Sequence, residues 1–250
     1  MMKTVIHPRY EHLRDYLSTL PQRFEHEGTT IYEQRNCIKV FEAPDGTLLN
    51  VKRYHVPRSV NRLVYSLGLR QPKGWRAYTY PERLLQCGID TPAPVAYFEE
   101  RRGGQLGYTY FVSLQCEGMR TLYDVARMDS GYELLAEELG NFTAHLHEQQ
   151  ILHLDYTPGN ILWRQEDLGV FHFVLIDINR MRFGAVSQRE GCKNVCRLWG
   201  PKHFIELFAK HYALSRGFDV ADTVALILRY RERFWRRYTQ KHEVPFEVEY

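Results

Sequence analysis

The stretch His153-Leu-Asp-Tyr-Thr-Pro-Gly-Asn-Ile-Leu162 decides how this sequence reads. It sets His153, Asp155 and Asn160 in the spacing HxDxxxxN. Pro158 and Gly159 make the segment a loop. Ahead of it, Leu135, Leu139, Phe142 and Leu146 recur at helical period and predict a helix over 132–148. Behind it, a short strand is predicted over 161–163. A carboxylate can take a proton from a hydroxyl, and an amide oxygen can hold a hard cation. The five-residue step from Asp155 to Asn160 around a loop can aim both at one place.

Seventeen residues beyond Asn160 comes Asp177, in Phe173-Val-Leu-Ile-Asp-Ile-Asn-Arg180. A strand over 170–176, reached through a turn at 166–169, delivers this carboxylate at its tip. There it is placed to bind magnesium that bridges ATP phosphates. Together the three residues match the catalytic loop and metal carboxylate of phosphoryl transfer. Upstream, Lys52 lies in the alternating strand Leu48-Leu-Asn-Val-Lys-Arg-Tyr54, from which a lysine reaches α and β phosphates. Glu82 is the only acidic residue of a helix predicted over 74–87, and is the candidate partner of Lys52 by elimination. Pro81 directly precedes it. The strand over 108–115 is expected to link two lobes, with backbone from Ser113 through Gln115 to Cys116 bonding adenine.

The order of elements agrees with this chemistry. A helix over 10–20, ending before Pro21, leads to strands at 29–32, 37–41 and 48–54, the last two joined by the turn Pro44-Asp45-Gly46. Helical spacing of Val60, Leu63, Val64 and Leu67 is followed by the helix over 74–87, stopped by Gly88. Strands over 91–100 and 108–115 flank the turn Arg101-Arg-Gly-Gly-Gln105. Beyond Glu117-Gly118 the chain is mostly helical, ending in an Arg-rich helix over 220–241. The expected fold is α+β and bilobal, protein-kinase-like. Residues 1–250 form one such domain, with a β-rich N-lobe at 22–115 that carries one internal helix and an α-helical C-lobe at 116–250.

Composition narrows the classes. With 44% hydrophobic and 25% charged residues the 250-residue chain is ordinary for a folded protein and too apolar for a disordered one. Its longest apolar runs fall far short of the ~20 residues that span a bilayer. The charged start lacks an apolar signal region, so the expected compartment is the cytosol. Five cysteines, an odd number, make no disulfide framework. Cys192 and Cys196 stand one helical turn apart, and buried free thiols are preferred to a shared metal. A net charge of +3 does not suggest a nucleic-acid partner. Its distribution says more: 25 of 33 basic residues are Arg, and residues 51–81 contain no acid while holding Lys52, Arg53, Arg58, Arg62, Arg70, Lys73 and Arg76. An anionic partner fits that stretch. His145 and His147 lie two apart on a helix and face different ways, which argues against a metal cluster with His153. Phe234, Trp235 and Tyr238 read as core, and the five arginines from Arg229 to Arg237 as a solvated basic face, with anionic lipid heads as the alternative.

The residues resemble the lipopolysaccharide core kinases, the Kdo/WaaP-type branch of the protein-kinase-like superfamily. The resemblance runs over about 31–199 and is carried by IYEQRN, NVKRYH, ERLLQCGIDTPAPVAYFE, LHLDYTPGNIL and LIDINRMRF. Asp177-Ile-Asn-Arg180 stands where a protein kinase has Asp-Phe-Gly, and no Ala-Pro-Glu follows. The resemblance implies ATP- and Mg2+-dependent phosphorylation of a sugar hydroxyl, on Kdo or heptose, in a lipopolysaccharide core or Kdo-lipid A acceptor at the cytoplasmic face of the inner membrane. By the same analogy Asp155 is the catalytic base, Asn160 and Asp177 bind metal, Lys52 binds phosphates, and Arg180 contacts acceptor or phosphate. No GxGxxG is present; Glu33-Gln34-Arg35-Asn36 occupies that turn, so either backbone amides and Arg35 hold phosphate or nucleotide binding is weak. The acid-free arginines, with Val60, Leu63, Val64 and Leu67, suit an anionic glycolipid surface or an ordinary packed helix. A small-molecule kinase of aminoglycoside or choline type and a pseudokinase binding module stay open, and no pattern sets the oligomeric state.

Overall fold

Period-two alternation in Leu48–Tyr54 sends Leu49 and Val51 to one face, where both are fully buried, and Asn50 and Lys52 to the other. A computed structural model describes residues 2–57, 59–128, 131–166, 169–244 and 247–249. Arg58 of the acid-free stretch, and Asp167 and Leu168 of the 166–169 turn, lie outside the described residues. The chain divides into two units, Met1–Glu117 and Gly118–Tyr250.

The first unit carries β1 (Met2–Ile6), α1 (Arg14–Arg23), β2 (Thr29–Glu33), β3 (Cys37–Glu42), β4 (Leu48–Tyr54), α2 (Ser59–Ser66), α3 (Lys73–Gln86), β5 (Pro94–Arg102) and β6 (Gln105–Leu114). Its sheet has the order β1-β5-β6-β4-β3-β2, every pair antiparallel. One face packs Leu49, Val51, Phe98, Tyr110 and Val112 against Leu13, Leu17, Leu20 and Phe24 of the α1 region. Burial of this size, at about 1.5–3 kcal/mol per large apolar side chain, is what orders the N-terminal segment.

Two sequence expectations need correction here. The helix expected to stop before Pro21 begins instead as a 3-10 turn and then runs as α1 through Pro21 to Arg23. Pro21 lies in the last turn and forfeits one backbone bond, while Leu17, Leu20 and Pro21 itself are buried. Packing outweighs the lost bond. The segment Met-Lys-Thr-Val-Ile, not expected as a strand, pairs with β5 from Met2↔Glu100 to Ile6↔Ala96. At the sheet edge it needs only one apolar side, and Ile6 is its one buried residue.

Against the opposite face lies α3. Gly74 lets it approach: a Cβ there would sit 3.0 Å from both Thr109 Oγ1 and a Tyr97 ring carbon. Trp75 then meets Tyr97 edge-on at 5.2 Å. The helix passes through Pro81, which is buried, and keeps Glu82 in its last turns.

The second unit carries β7 (Arg120–Thr121), α4 (Glu133–Glu148), β8 (Ile151–His153), β9 (Ile161–Gln165), β10 (Phe171–Leu175), β11 (Met181–Phe183), α5 (Gln188–Asn194), α6 (Lys202–Ser215) and α7 (Val220–Tyr238). Two small sheets, β10-β9-β7 and β11-β8, bracket the loop that holds Asp155. The helical core forms where α4 meets α6. Gly140 permits that contact, since a Cβ there would lie 2.6 Å from the Phe208 carbonyl oxygen. A buried stripe of Thr223, Ile227, Arg231 and Trp235 anchors α7. Arg231 therefore leaves the solvated face expected of it. It is 1% exposed and donates to the Gly200 carbonyl at 3.1 Å and to the Glu249 carbonyl. Carbonyls that accept from both of its terminal nitrogens offset part of the cost of burying this guanidinium. No described helix is long and apolar enough to cross a membrane.

Candidate active site

Two hydrogen bonds shape the loop between β8 and β9 from within, and two more stitch it to Ile176 at the end of β10. The Asp155 N–H donates to His153 Nδ1 at 3.1 Å, and His153 Nε2 donates to the Ile176 carbonyl at 3.0 Å. Asn160 Nδ2 donates to the Asp155 carbonyl at 2.9 Å, and the Ile176 N–H donates to the Asn160 carbonyl at 3.0 Å. These bonds draw Asp155, Asn160 and the residue before Asp177 into one frame. They also fix the His153 tautomer, with the proton on Nε2. Burial pushes the His153 pKa down, so the ring is neutral, as an Nδ1 acceptor must be.

Asp177 lies two residues past β10 rather than at its tip. Its φ of 54° is left-handed, which is uncommon for a residue with a Cβ. Asn179 Nδ2 donates to Asp177 Oδ1, leaving the Asn179 Oδ1 buried with no hydrogen-bond partner among the described residues. Asp155 has a charged partner on each oxygen. Arg197 Nη1 lies 2.5 Å from Oδ1 and Arg180 Nη1 3.5 Å from Oδ2. The carboxylate is 26% exposed, so it is held in place yet reachable from solvent.

A buried polar chain backs the loop. Asn194 Nδ2 donates to the His153 carbonyl at 2.9 Å, and Asn194 Oδ1 accepts from His147 Nε2 at 3.3 Å. His147 Nδ1 accepts from the Tyr212 hydroxyl at 2.9 Å, which accepts in turn from Arg216 Nη1 at 3.2 Å. Burial drives the His147 pKa down to about 4 and lifts that of the Tyr212 phenol. His145 is outside this chain of bonds. Among the described residues no group of three or more His, Cys, Asp or Glu could hold a metal. Cys192 and Cys196 are free thiols whose pKa burial raises, to about 11 for Cys192.

The remaining predicted site residues lie in the first unit. Lys52, opposite Ile38 and Phe111, is half-buried on the sheet face that packs α3, with Nζ 5.2 Å from the Tyr54 ring centre. Glu82 is exposed on α3 and accepts from Gln86 Nε2 at 3.4 Å. Ser113 is buried in β6 opposite Asn50. The Gln115 N–H donates to the Leu48 carbonyl at 2.9 Å and its side chain accepts from Asn50 Nδ2 at 2.8 Å. The ladder thus extends to Gln115 and makes Cys116 the first residue past it. Arg35 is exposed and lines a pocket of about 720 Å³ with Arg70 and Lys73.

Sequence reasoning missed Arg197, His147, Asn194 and Tyr123. Tyr123 packs on the loop so closely that a Cβ on Gly159 would lie 2.8 Å from its ring. None of these four falls in a spacing like that of His153, Asp155 and Asn160. Arg197 sits 42 residues from Asp155 in a helical region where a lone basic residue has no signature.

A neutral histidine that ties an Asp–Asn loop to the residue before a second aspartate in one unit, and an antiparallel sheet with a lysine on a central strand in the other, are the parts of a protein-kinase-like fold. The chain belongs to the lipopolysaccharide kinase (Kdo/WaaP) family, whose model matches residues 26–230. It is similar to a 3-deoxy-D-manno-octulosonic acid kinase of Mannheimia succiniciproducens, 28% identical over 116 residues, 45% of this chain and 46% of that protein. The chain thus matches about half the length of that curated relative. In fold it resembles WaaP, from a complex with acyl carrier protein, at a TM-score of 0.64 and 15% identity, over 94% of this chain and 98% of that one. It also resembles the Rio2 kinase of Chaetomium thermophilum, from an ADP/Mg2+-phosphoaspartate complex, at a TM-score of 0.51 and 15% identity, over 93% of this chain and 78% of that one.

Proposed function

We propose that this protein is an ATP-dependent phosphotransferase that phosphorylates a sugar hydroxyl, on Kdo or heptose, of the lipopolysaccharide inner core. The observation that carries this reading is the His153-centred frame, which holds Asp155 and Asn160 beside the Asp177 segment. Family membership supplies the acceptor class.

In the reaction, the acceptor oxygen forms its bond to the γ-phosphorus as the bond from that phosphorus to the ADP oxygen breaks. The hydroxyl proton passes to the Asp155 carboxylate, and ADP leaves. Such a transition state asks the protein mainly for positioning and charge. Arg197 and Arg180 position the carboxylate, and Arg180, exposed beside it, offers positive charge to the transferring phosphoryl group. Asp177, the Asn160 amide oxygen and the orphaned Asn179 Oδ1 form an all-oxygen donor set suited to magnesium. When bound there, Mg2+ would neutralise phosphate charge. In the first unit Lys52 serves the α and β phosphates, with Glu82 as its partner across the same sheet face, and Arg35 serves the phosphates from the β2–β3 turn. Backbone at Ser113, Gln115 and Cys116 takes adenine; with the Gln115 N–H spent on Leu48, Cys116 supplies the first donor.

A peripheral contact with the anionic inner-membrane surface fits the α2 region. Val60, Leu63, Leu67 and Leu69 are 74%, 59%, 64% and 76% exposed there, among arginines and without an acidic residue. On this reading the protein works in the cytoplasm, at that membrane face. Salt-sensitive binding to acidic vesicles is the expected result.

The function is tested by offering the protein magnesium and labelled ATP with Kdo-bearing lipid A and, separately, free amino sugars and choline. Transfer to the glycolipid, abolished by Asp155→Ala and Asp177→Ala, is expected. Transfer to the small alcohols alone would replace this reading with that of a small-molecule kinase.

A further inference from the structure

The face of α7 that flanks its buried stripe carries Tyr230, Arg233, Phe234, Arg237 and Tyr238, and is continued by Lys241. With spacings of three and four these residues share one side of the helix. Across from them α5 contributes Arg189 and Lys193, and the two helices enclose a groove of about 860 Å³. Arg189 Nε donates to the Tyr230 hydroxyl at 3.0 Å and pins one end. Five exposed cations line the groove against a single carboxylate, Glu190, whose oxygens are taken by Arg182 at 2.9 Å and by the Ser187 cap. The groove lining therefore carries a net positive charge, its one carboxylate being already paired.

Phe234 and Tyr238 also wall a second, smaller crevice of about 250 Å³. Its other walls are Tyr123, Trp199, Trp235, Arg197 and the catalytic-loop residues Thr157 and Pro158. Tyr123 and Trp199 stand 4.4 Å apart, and Phe234 stacks on Tyr238 at 5.6 Å. Arg197 reaches from this crevice to Asp155. Aromatic faces beside a polar rim suit the apolar face of a pyranose ring, and clustered Arg and Lys suit phosphate or carboxylate.

We infer that crevice and groove together form the acceptor site for a phosphorylated glycan: the sugar to be modified lies in the aromatic crevice at Asp155, and anionic groups further along the same glycan lie between α5 and α7. The inference rests on the phosphotransferase reading above and adds to it the residues that select the acceptor. Arg233 and Arg237 are specificity determinants; neither touches the reacting atoms.

The test measures binding and turnover in the full chain. The probes are Kdo-bearing lipid A, its deacylated glycan with phosphates retained, and the same glycan dephosphorylated. Binding is read from tryptophan fluorescence, which Trp199 reports from the crevice. Wild type binds the phosphorylated deacylated glycan at least about tenfold tighter than the dephosphorylated one, the scale set by a lost charge-assisted contact. Arg233→Gln/Arg237→Gln erases that difference and raises the acceptor KM by a similar factor while leaving the KM for ATP in place. Arg229→Gln/Arg236→Gln, equal in charge loss and off the groove, changes neither. Equal binding of the two glycans, or unchanged affinity in Arg233→Gln/Arg237→Gln, would overturn the groove. Affinity carried by acyl chains alone would give it to a lipid surface and overturn it as well. Phosphate-dependent binding without transfer to the Kdo acceptor would leave the groove standing and bring down the proposed reaction instead.

Discussion

Arg197 Nη1 meets Asp155 Oδ1 at 2.5 Å, and the same guanidinium lies 5.6 Å from the Phe234 ring centre, so one side chain joins the Asp155 loop to helix α7. A charge-assisted hydrogen bond of this kind contributes about 1.5–3 kcal/mol. Arg197→Ala should therefore lower kcat by about 10–100-fold, with a smaller effect on the KM for ATP. Arg197→Lys should recover part of the loss. Steady-state kinetics of both variants check this, and an unchanged kcat in Arg197→Ala would remove Arg197 from the site.

His153 holds two segments at once, and its loss should be felt in both stability and rate. His153→Phe keeps the ring's bulk but leaves the Ile176 carbonyl and the Asp155 N–H without their partner. We expect a cost of about 1–3 kcal/mol in chemical denaturation. Turnover should fall further than that loss of folded population accounts for, because Asp155 loses its anchor. A variant with full turnover per folded molecule would contradict the positioning role.

The buried histidines set a pH dependence of stability with a definite sign. The folded-state pKa of His147 is about 4, below its ordinary 6.5, so the unfolded chain binds a proton that the folded chain refuses. Stability is complete above pH 6.5 and falls as pH drops from 6.5 toward about 4, by up to about 3 kcal/mol for this group. His153 shifts in the same direction. Denaturation midpoints at pH 7 and pH 5 should differ accordingly, and His147→Gln should flatten the profile.

Gly191 is fixed by what surrounds it. A Cβ there would fall 2.1 Å from the Tyr212 hydroxyl and 3.1 Å from His147 Nδ1, inside the polar chain that supports His153. Tyr212 is fully buried, so it has little room to yield. Gly191→Ala should destabilise by about 1–3 kcal/mol, seen as a lowered Tm. An unshifted Tm would show that the chain of bonds is looser than its distances imply.

Local patterns carried much of this structure and left the rest silent for physical reasons. Lys52, Asp155, Asn160 and Asp177 are legible because strand alternation and loop spacing act over a few residues. The helices over Leu135 to Leu146 and Val220 to Tyr238 are legible from their apolar period. Arg197, Asn194 and Tyr212 reach the catalytic loop only through tertiary packing, so no window of sequence contains both partners. Strand β1 escaped because an edge strand needs one buried residue, Ile6, and so shows little alternation. Arg231 looked like a surface charge because sequence does not reveal the carbonyls of Gly200 and Glu249 that receive it.

Mass spectrometry of Kdo-bearing lipid A after incubation with the protein, magnesium and ATP reads the proposed phosphoryl transfer itself. The expected product carries one added phosphoryl group on a core sugar, with the lipid A phosphates unchanged, and Asp155→Ala adds none. An unmodified glycolipid with wild-type protein, or full modification by Asp155→Ala, would contradict the proposed reaction.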